Sequence, residues 1–523
     1  MSGLTGPSAY IPEIFQLHAK WMGEKPALIH GAEQLSWQCF GAGLRRVAAQ
    51  LQMLGAKPGD CVAIAMDNRL ETPFALFGAV TAGLSCAPLN LTVSDDALMR
   101  MINDCGARIL IASPDQVARL DALRGQLPTL EHCLAPGLSP EIANSTWQAF
   151  TPLSGDADYT PPELDANQIF NIIYSSGTTG TPKGIVHTHK TRLDWSYALA
   201  LALRYHAGAI TLCNLGLYSN ISWVMMLCTW MNGGTLVLQS GFDAGATLEA
   251  IKTHSITHTA MVPVQYQRLV DHPDFSETAI ASLQAIMSCG STLPAGLKDR
   301  LFDVLPGGVI ELYGLTEGVI TTLAPEDAGG HLASVGKPLL GTDLLILNDG
   351  DEECPAGEAG EILAHGNIVM PGYLNRPDAT AEASWRDAAG RSWLRTGDIG
   401  KLDEDGFLYI VDRKKDMIIS GGQNIYPADL EAVLLSHPEI KEAAVIGLPD
   451  PIWGETPIAI IADPGDQLGP AEALLDWANA RLGKRQKLRD LHLIEALPRN
   501  PNGKILKREL RAQFAAAQTG ANA

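Results

Sequence analysis

Short apolar runs alternate with amphipathic segments over the first four hundred residues of this chain, and this alternation limits its fold more than any other feature. The runs have the length and composition of buried strands, and the segments between them are helix-like. The clearest strand-like runs are "CVAIAM" (61–66), "RILIAS" (108–113), "TLVLQS" (235–240) and "HTAMVP" (258–263), and helix-like segments lie at 97–104 and 245–254. Strands that alternate with helices predict a large α/β domain of mostly parallel β-sheets with flanking helices.

The character of the chain changes near residue 413. A charged cluster, "DRKKD" (412–416), is followed by a glycine pair and by a helix that begins at Pro427. Further on, "PIAIIAD" (457–463) is strand-like, and the basic stretch "ANARLGKRQKLRD" (478–490) is predicted as a helix. We therefore expect a small α+β domain of about a hundred residues after a boundary at 412–416.

The balance of charge disfavours two classes of partner. The chain has 38 Lys and Arg against 58 Asp and Glu, which gives a formal charge of −20. We do not expect so acidic a protein to bind nucleic acid or an anionic membrane as its main partner. An anionic small molecule would therefore need a local basic site.

The sequence shows no targeting or metal-binding signal. No basic region followed by an apolar core opens the chain, and the apolar stretch 221–230 is too short to span a membrane. The nine cysteines form no C-x-x-C pair, which is typical of buried thiols in a reducing compartment. "HTH" (187–189) is too closely spaced for a zinc site, so we expect it on a loop or helix surface. We predict a cytoplasmic protein without a membrane span.

The stretch "YSSGTTGTPKG" (174–184) concentrates glycines, small hydroxyl side chains and one lysine after a strand-like run. Glycine lets the backbone approach an anion, while N–H groups, hydroxyls and Lys183 supply donors and charge. The spacing does not match a Walker loop, which needs a glycine where Pro182 stands. The residues alone leave two interpretations open, a phosphate-binding loop and a flexible surface turn.

Four later clusters carry further chemistry, and each also has a plain structural interpretation. The segment "ELYGLTE" (311–317) contains an aromatic ring, a hydroxyl and a carboxylate, which suit contacts with a base, a phosphate oxygen and Mg²⁺ in that order. The structural alternative is a strand that ends in an exposed turn. The carboxylate in "LRTGDIG" (394–400) suits sugar hydroxyls, and the arginine in "DRKKD" suits the same sugar or a phosphate. The structural alternatives are a simple turn for the first segment and a solvated linker for the second. A lysine in "PRNPNGKILKREL" (498–510) is either functional or the first exposed residue of a helix. The candidate residues are Tyr313, Thr316, Glu317, Asp398, Arg413 and Lys504.

In this order the clusters resemble the motifs of one family, the acyl-adenylate-forming superfamily. It comprises acyl-CoA synthetases, adenylation domains of peptide synthetases and luciferase-type enzymes. The loop at 174–184 is similar to its phosphate loop, and "ELYGLTE" is similar to its adenine and Mg²⁺ motif. Its later motifs resemble "GEAGEILAHGNIVMPGYLNRP" (357–377), "RTGD", "DRKKDMIISGGQNIYPADLE" and "PRNPNGK". The chain looks most like an acid:CoA ligase.

The resemblance implies a two-step reaction with ATP, Mg²⁺ and coenzyme A. A carboxylate and MgATP give acyl-AMP and pyrophosphate, and a thiol, commonly that of coenzyme A, then displaces AMP. The catalytic residues that it implies are Lys504, Thr316 and Glu317, with Glu317 also as the Mg²⁺ ligand. The cofactor-binding residues that it implies are Ser176, Thr178, Thr179, Lys183, Gly290, Ser291, Thr292, Tyr313, Asp398, Arg413, Gly421 and Gly422.

Each of these residues has an implied role. Lys183 and the loop hydroxyls would hold the departing pyrophosphate, and Lys504 would bridge the carboxylate and the α-phosphate. Adenine would lie against Tyr313 and "GST" (290–292), and the ribose against Asp398 and Arg413. The glycine pair Gly421 and Gly422 would give the pantetheine arm of coenzyme A close passage.

The resemblance also implies a mobile small domain. It divides the chain into a large domain (1–412), a hinge (413–416) and a small domain (417–523) that carries Lys504. The small domain would turn about Asp416 between the two reaction steps, which would remove Lys504 from the site.

The predicted acid pocket is apolar. The segments 218–227 and 261–266 carry aromatic, Met and aliphatic side chains and no fixed charge, so we expect an aromatic or medium-to-long aliphatic monocarboxylate. The family often has an aromatic–His pair in the pocket, and here Ser219 stands at the usual His position. The predicted pocket residues are Tyr218, Ser219, Trp223, Val262, Tyr266 and Gly314.

Other functions remain open at this point. A free-standing ligase that loads a carrier protein has the same motifs, and so does a luciferase-like oxygenase. A nucleotide-binding regulator without catalysis is a different class, and retention of Lys183, Glu317, Asp398, Arg413 and Lys504 argues against it. The expected partners are a small carboxylic acid, ATP and coenzyme A, and a homodimer is one assembly that the sequence allows.

Overall fold

The computed structural model describes residues 9–138, 146–154, 158–175, 182–305, 307–420, 423–450, 454–465, 467–483, 486–500 and 503–521. The chain forms two compact units. The larger comprises residues 1–332, 338–343 and 364–394, and the smaller comprises 333–337, 344–363 and 395–523. The boundary predicted from the sequence falls inside the smaller unit. Because a division into compact units does not show where a hinge lies, that boundary stays a prediction.

Two large sheets organise the N-terminal part of the chain, with strands numbered along the sequence. The nine-stranded sheet has the order β16 (Lys337–Pro338), β15 (Val319–Leu323), β14 (Val309–Leu315), β13 (Ala285–Ser288), β12 (His258–Met261), β10 (Ile210–Cys213), β11 (Thr235–Leu238), β1 (Pro26–His30), β2 (Glu33–Ser36). The seven-stranded sheet has the order β7 (Trp147–Ala149), β6 (His132–Ala135), β5 (Ile109–Ala112), β3 (Cys61–Ala65), β4 (Ser85–Pro88), β8 (Ile169–Ser175), β9 (Lys183–Thr188).

The interior strands of both sheets pair in parallel. In the nine-stranded sheet the pairs from β1 through β11, β10, β12, β13 and β14 are parallel, and β2 and β15 pair antiparallel with β1 and β14. In the seven-stranded sheet the strands β3 to β8 pair in parallel and β9 closes an antiparallel hairpin with β8. The predicted α/β class with mostly parallel sheets is confirmed.

The helices fall between the strands, as the alternation of the sequence predicts. They are α1 (Ile11–Trp21), α2 (Trp37–Met53), α3 (Thr72–Thr81), α4 (Asp95–Asp104), α5 (Val117–Leu123), α6 (His189–Ala202), α7 (Asn220–Met231), α8 (Ala244–His254), α9 (Pro263–Val270), α10 (Ala295–Val304), α11 (Pro377–Glu382), α12 (Pro427–Leu435), α13 (Ala471–Arg481) and α14 (Lys507–Ala521). In the described residues, no helix is both long and apolar enough to cross a bilayer.

Two helices that are apolar all round form the centre of the largest core. All ten residues of α3 are buried, as are ten of the twelve residues of α7, which is what an unbroken apolar surface requires. Helix α3 packs on β3 and β4, and α7 packs on β10, β11 and β12. Phe77 of α3 meets Trp223 and Trp230 of α7, with ring centroids 5.4 and 5.3 Å apart. The start of α7, which includes part of the predicted acid pocket, is therefore fixed to a rigid core.

Two smaller sheets follow. One has the order β17 (Thr342–Leu347), β18 (Gly360–Gly366), β20 (Ser392–Leu402), β19 (Ser384–Arg386), with β21 (Leu408–Arg413) also paired to β20. The other has the order β23 (Gln423–Ile425), β22 (Ile418–Ser420), β25 (Gly454–Ala462), β24 (Ala443–Asp450), with β26 (Asp490–Ile494) parallel to β25. With α12 to α14, the last sheet confirms the α+β class of the C-terminal part.

One predicted helix is shorter than expected. The basic stretch 478–490 was predicted as helical throughout, but α13 ends at Arg481. Leu482 is extended, with φ −85° and ψ 147°, and its side chain is buried, as is that of Leu488. Burial of these two leucines in the small core outweighs the helical preference of the basic residues between them.

Candidate active site

Lys183 is the first residue of β9, on the hairpin that carries the predicted phosphate loop. In this hairpin Ser175 lies opposite Lys183. The segment that ends at Leu374 runs beside β9: the Leu374 N–H donates to the carbonyl of Gly184 (2.8 Å), and the Val186 N–H donates to that of Gly372 (3.2 Å). The loop residues Ser176, Thr178 and Thr179 lie outside the described residues, so their roles stay predictions.

Tyr373 links Lys183 to Glu317. The Nζ atom of Lys183 lies 4.9 Å from the centroid of the Tyr373 ring, within cation–π range. The Tyr373 hydroxyl donates to Glu317 Oε1 at 2.9 Å. Burial, and then the Glu317 carboxylate, raise the pKa of Tyr373, so the phenol keeps its proton and remains the donor. One aromatic ring thus holds both a cation and a carboxylate.

Glu317 lies in the turn between β14 and β15. Its carbonyl accepts from the Met370 N–H at 2.8 Å, so both its backbone and its side chain are anchored. Gly318 completes the turn with φ +114°, and a Cβ there would lie 2.2 Å from the carbonyl oxygen of Ile368. Only glycine fits that approach. A single oriented carboxylate suits Mg²⁺, which is commonly held by one or two carboxylates together with substrate phosphates.

The other predicted residues of this hairpin lie along β14 and its turn. Tyr313 is half-buried opposite Thr321, and Gly314 lies opposite Ile320. A Cβ on Gly314 would come within 2.5 Å of the Val319 carbonyl oxygen, so this position also demands glycine. Thr316 is half-buried directly before Glu317.

The predicted adenine-binding stretch follows β13. Gly290, Ser291 and Thr292 are exposed, and Gly290 has φ +92°. A Cβ on Gly290 would lie 3.3 Å from Val262 Cγ1 and 3.6 Å from Ile221 Cδ1. The structure therefore brings this stretch next to a predicted pocket residue, Val262, and to the first turn of α7.

The remaining pocket candidates differ in their surroundings. Tyr218 is half-buried and Ser219 is buried at the N-terminal end of α7. Trp223 is fully buried among the rings of Phe77 and Phe170. Tyr266 is 1 % exposed, and its hydroxyl donates to the Met287 carbonyl at 2.9 Å within the core beneath α9. Such a placement gives Tyr266 a packing role, and its predicted contact with substrate stays a prediction.

His187 and Arg192 are buried site neighbours that the sequence reasoning did not select. The prediction that residues 187–189 lie on a loop or helix surface is wrong, because His187 and His189 are 2 % and 1 % exposed. Strand β9 runs to Thr188 and α6 begins at His189, so this junction lies inside the fold. His187 Nε2 lies 2.8 Å from the Thr316 carbonyl oxygen. The five-residue spacing of His187 and Arg192 across a strand–helix junction was the only signal.

In the smaller unit, Asp398 and Arg413 form an ion pair. They are opposite residues of β20 and β21, and Arg413 Nε lies 3.0 Å from Asp398 Oδ1. Asp398 is 2 % exposed, whereas Arg413 is half-buried. The Asp398 N–H donates to Thr396 Oγ1 at 3.0 Å, which fixes the turn that carries the carboxylate.

Lys504 lies beside this ion pair. Two hydrogen bonds tie its backbone to Asn500: its N–H donates to Asn500 Oδ1 and its carbonyl accepts from the Asn500 N–H, both at 2.9 Å. Burial, followed by the positive charge of Arg413, lowers the pKa of Lys504 to about 8, although Asp398 acts in the opposite direction. A lysine with so lowered a pKa beside charged partners is typical of functional sites.

Asp416, the predicted pivot, is also half-buried in the smaller unit. Its carboxylate pairs with Arg511 at 2.8 Å, and its N–H donates to the Arg413 carbonyl at 2.9 Å. Burial would raise the pKa of Asp416, but the Arg511 hydrogen bond and other nearby cations lower it overall. Gly421 and Gly422 lie outside the described residues, and their role stays a prediction.

Comparison with known proteins identifies the family. Residues 15–374 match the family model of AMP-binding enzymes, and residues 429–504 match the model of the AMP-binding enzyme C-terminal domain. The chain belongs to the AMP-binding enzyme family. With it, the resemblance to the acyl-adenylate-forming superfamily is confirmed.

Similar proteins cover nearly the whole chain. It is 33% identical over 506 residues to a feruloyl-CoA synthase of Amycolatopsis sp, covering 93% of this chain and 96% of that protein. It is 32% identical over 487 residues to a long-chain-fatty-acid–CoA ligase of Mycobacterium tuberculosis, with 92% and 94% covered. The crystal structure of ATP-bound MatB from Rhodopseudomonas palustris superposes with a TM-score of 0.87 at 25% identity, covering 97% of this chain and 99% of that one.

Proposed function

We propose that the protein is an AMP-forming carboxylic acid:CoA ligase that uses ATP and Mg²⁺. The observation that carries the proposal is the contact series Lys183–Tyr373–Glu317, in which one aromatic ring contacts both a lysine and a carboxylate. These are the residue types that we propose for binding phosphate and Mg²⁺. The family membership and the names of the relatives, which include a CoA synthase and a CoA ligase, support the same chemistry.

In the first step the substrate carboxylate attacks the α-phosphorus of ATP. A carbon-bound oxygen forms a new P–O bond, the bond between the α-phosphorus and the bridging oxygen breaks, and pyrophosphate leaves. The charge that develops on the phosphoryl oxygens needs cations placed in advance. We assign the pyrophosphate to Lys183, the incoming carboxylate and α-phosphate to Lys504, and the Mg²⁺ that neutralises the phosphates to Glu317.

In the second step the thiolate of coenzyme A attacks the acyl carbonyl of the adenylate. A C–S bond forms, the C–O bond to AMP breaks, and the thiol proton goes to solvent. We assign the ribose of the nucleotide to the Asp398–Arg413 pair, because a buried carboxylate that is held by an arginine can accept from sugar hydroxyls. We also propose that the small domain turns at Asp416 between the steps.

We further propose that the acid is an apolar monocarboxylate. The side chains that meet beside Gly290, those of Val262 and Ile221, are aliphatic. Burying a second charge against such a wall is costly, whereas an apolar tail loses little on desolvation. The relatives name different acids at similar identity, feruloyl, long-chain fatty and 2-succinylbenzoate, so this part of the proposal rests on the apolar side chains and not on the relatives.

A panel of carboxylic acids, assayed for pyrophosphate release with and without coenzyme A, tests the proposal. We expect release with an aromatic or fatty acid, and coenzyme A should be consumed in equal amount. Pyrophosphate release without consumption of coenzyme A would instead favour a ligase that loads a carrier protein. No release with any acid would support a nucleotide-binding regulator. Turnover of malonate or an amino acid above every apolar acid would contradict the substrate class.

A further inference from the structure

Arg192, on α6, carries a charge in an unusual position. The side chain is fully buried, and among the described residues no carboxylate lies within ion-pair distance of it. Its guanidinium carbon lies 4.7 Å from the ring centroid of Trp195 and 5.5 Å from that of Trp223. Two aromatic faces lie against the guanidinium and neutral acceptors bind its Nε and Nη2 atoms, while Nη1 is buried without a hydrogen-bond partner among the described residues.

Three acceptors surround the guanidinium. Arg192 Nε donates to Asn171 Oδ1 at 3.0 Å, and Nη2 donates to Asn220 Oδ1 at 2.9 Å. Nη2 also donates to His187 Nδ1 at 3.2 Å. Burial of an arginine charge costs folding free energy. Because each contact of Arg192 reaches a different element, the arrangement points to a specific function for this side chain.

The contact with Arg192 determines the tautomer of His187. A guanidinium can only donate, so Nδ1 of His187 must accept, and the ring proton is on Nε2. That proton is donated to the Thr316 carbonyl oxygen, 2.8 Å away. Burial and then the neighbouring Arg192 charge hold the pKa of His187 well below its ordinary value, so the ring stays neutral. His187 thus has one fixed state, with one acceptor and one donor.

The elements joined in this way are those that carry the proposed chemistry. Asn171 and His187 are opposite residues of the β8–β9 hairpin, which carries Lys183. Asn220 is the first residue of α7, directly after the predicted pocket residue Ser219. The carbonyl that His187 holds belongs to Thr316 and is part of the peptide bond to Glu317.

We propose that Arg192 and His187 are a positioning pair that sets the Thr316–Glu317 turn relative to the hairpin and the start of α7. This rests on the proposed function of Glu317 as the Mg²⁺ ligand. The Tyr373 hydroxyl holds the carboxylate of Glu317, and the Met370 N–H holds its carbonyl. His187 supplies a further contact, on the preceding carbonyl. Neither Arg192 nor His187 touches the reacting atoms in this assignment.

The central test compares His187→Leu with His187→Gln. Leucine removes the donor to Thr316, whereas the glutamine amide nitrogen can take the place of Nε2 and donate to the same carbonyl. Loss of a group that orients a metal ligand typically costs about 10- to 100-fold in metal affinity or activity. We expect His187→Leu to lower kcat of acyl-AMP formation by about that factor and to raise the Mg²⁺ concentration at half-maximal rate, and His187→Gln to recover most of both.

His258→Leu is the matched control. His258 is equally buried, and its Nε2 lies 3.2 Å from the Arg204 carbonyl, remote in sequence from Thr316. Burial also lowers its pKa, to about 4, so it is a neutral core histidine like His187. His258→Leu should lower the melting temperature about as much as His187→Leu, but should leave the Mg²⁺ dependence unchanged. Equal kinetic effects of the two leucine variants, or of His187→Leu and His187→Gln, would overturn the proposal.

A double-mutant cycle tests the pairing with Arg192. If Arg192 acts through His187, Arg192→Met and His187→Leu should each reduce kcat, and the double variant should lose much less than the product of the two effects. Fully multiplicative losses would overturn the pairing. Should Arg192→Met fail to fold, the His187 variants still decide the role of the turn.

Calorimetric binding of ATP, with and without Mg²⁺, separates this proposal from the proposed function. We expect His187→Leu to weaken only the Mg²⁺-dependent part of ATP affinity. Wild-type protein that binds MgATP but releases no pyrophosphate with any acid would contradict the ligase function and leave this binding comparison valid. An unchanged Mg²⁺ contribution in His187→Leu would overturn the positioning role even in an active ligase.

Discussion

At the scale of single residues, Lys504 shows how a motif and its surroundings combine. Local hydrogen bonds to Asn500 hold its backbone, but its lowered pKa depends on Arg413 and Asp398, which lie 91 and 106 positions earlier in the chain. A lysine ammonium that is destabilised in the free protein is stabilised most when two anions bind beside it. This favours a role for Lys504 in the adenylation step.

Lys504→Ala should separate the two half-reactions. Removing a donor that acts only in the transition state costs about 100- to 1,000-fold in rate, so acyl-AMP formation should fall by that factor. Thioester formation from synthetic acyl-AMP and coenzyme A should be nearly unchanged. Both rates are measured on the purified variant. Near-wild-type adenylation would make Lys504 a surface charge, and equal damage to both steps would mean a structural role.

The pH dependence of the first step should report the same lysine. Only the ammonium form of Lys504 can bridge two anions, and its pKa in the free protein is about 8. Because kcat/KM reports groups of the free enzyme, kcat/KM of adenylation should fall as the pH rises through about 8. The arginine of Lys504→Arg keeps its charge at every accessible pH, so the fall in kcat/KM at high pH should vanish in that variant. A fall that persists in Lys504→Arg would report the titration of another group.

At the scale of elements, the segment through Tyr373 couples the β8–β9 hairpin to the β14–β15 turn. The Tyr373 hydroxyl holds Glu317, and its ring faces Lys183. Tyr373→Phe removes only the first contact, whereas Tyr373→Ala removes both. A hydrogen bond to a charged group contributes about 1.5–3 kcal/mol, so Tyr373→Phe should weaken Mg²⁺-dependent adenylation by about 10- to 100-fold.

Tyr373→Ala should cost more than Tyr373→Phe and should also raise KM for ATP, because Lys183 loses its aromatic support. Steady-state kinetics at several Mg²⁺ concentrations measure both effects. If Tyr373→Phe behaves as wild type while Tyr373→Ala is impaired, the ring matters and the contact with Glu317 does not.

The elements themselves were largely predictable. The strand-like runs at 61–66 and 235–240 match β3 and β11, and the segment 245–254 matches α8, because local apolar spacing decides which surface each element can bury. The helix predicted for the basic stretch after Arg481 was wrong, because the burial of two leucines in the core is not visible in a local sequence pattern.

The site was predictable only in part. The sequence motifs supply residue types at the right places along the chain, but not the contacts between them. Tyr373 meets Glu317 across 56 positions, and His187 meets Thr316 across 129. The second contact joins a strand of the seven-stranded sheet to the β14–β15 turn of the nine-stranded sheet, and no local spacing encodes such a contact. The buried histidine and arginine were therefore missed.

At the scale of the whole molecule, a strongly acidic chain is proposed to bind acidic substrates. The formal charge of −20 opposes the approach of ATP and a carboxylate, so binding must depend on a few local cations. The proposed cations are divided between the two units, Lys183 in the larger and Arg413 and Lys504 in the smaller. The proposed turn about Asp416 would carry Lys504, which follows the pivot in the chain, but not Lys183 or Arg413, which precede it.

Asp416→Pro tests this change of orientation. A pivot must alter its φ and ψ angles between two states, and proline fixes φ near −65°. The variant should therefore stall the half-reaction that needs the excluded orientation and leave the other. Proline also removes the N–H that bonds to Arg413 and the carboxylate that pairs with Arg511. Asp416→Ala is the control, because it loses the carboxylate but keeps a free backbone.

Both half-reactions and the melting temperature should be measured on the two variants. We expect Asp416→Ala to have a modest, similar effect on both steps, since it removes the ion pair with Arg511 but does not restrict the backbone. Asp416→Pro should block one step selectively at a melting temperature within a few degrees of that of Asp416→Ala, because one further hydrogen bond contributes about 1 kcal/mol. Equal loss of both steps in a stably folded Asp416→Pro protein would place the pivot at another residue of the segment 413–416 or outside it.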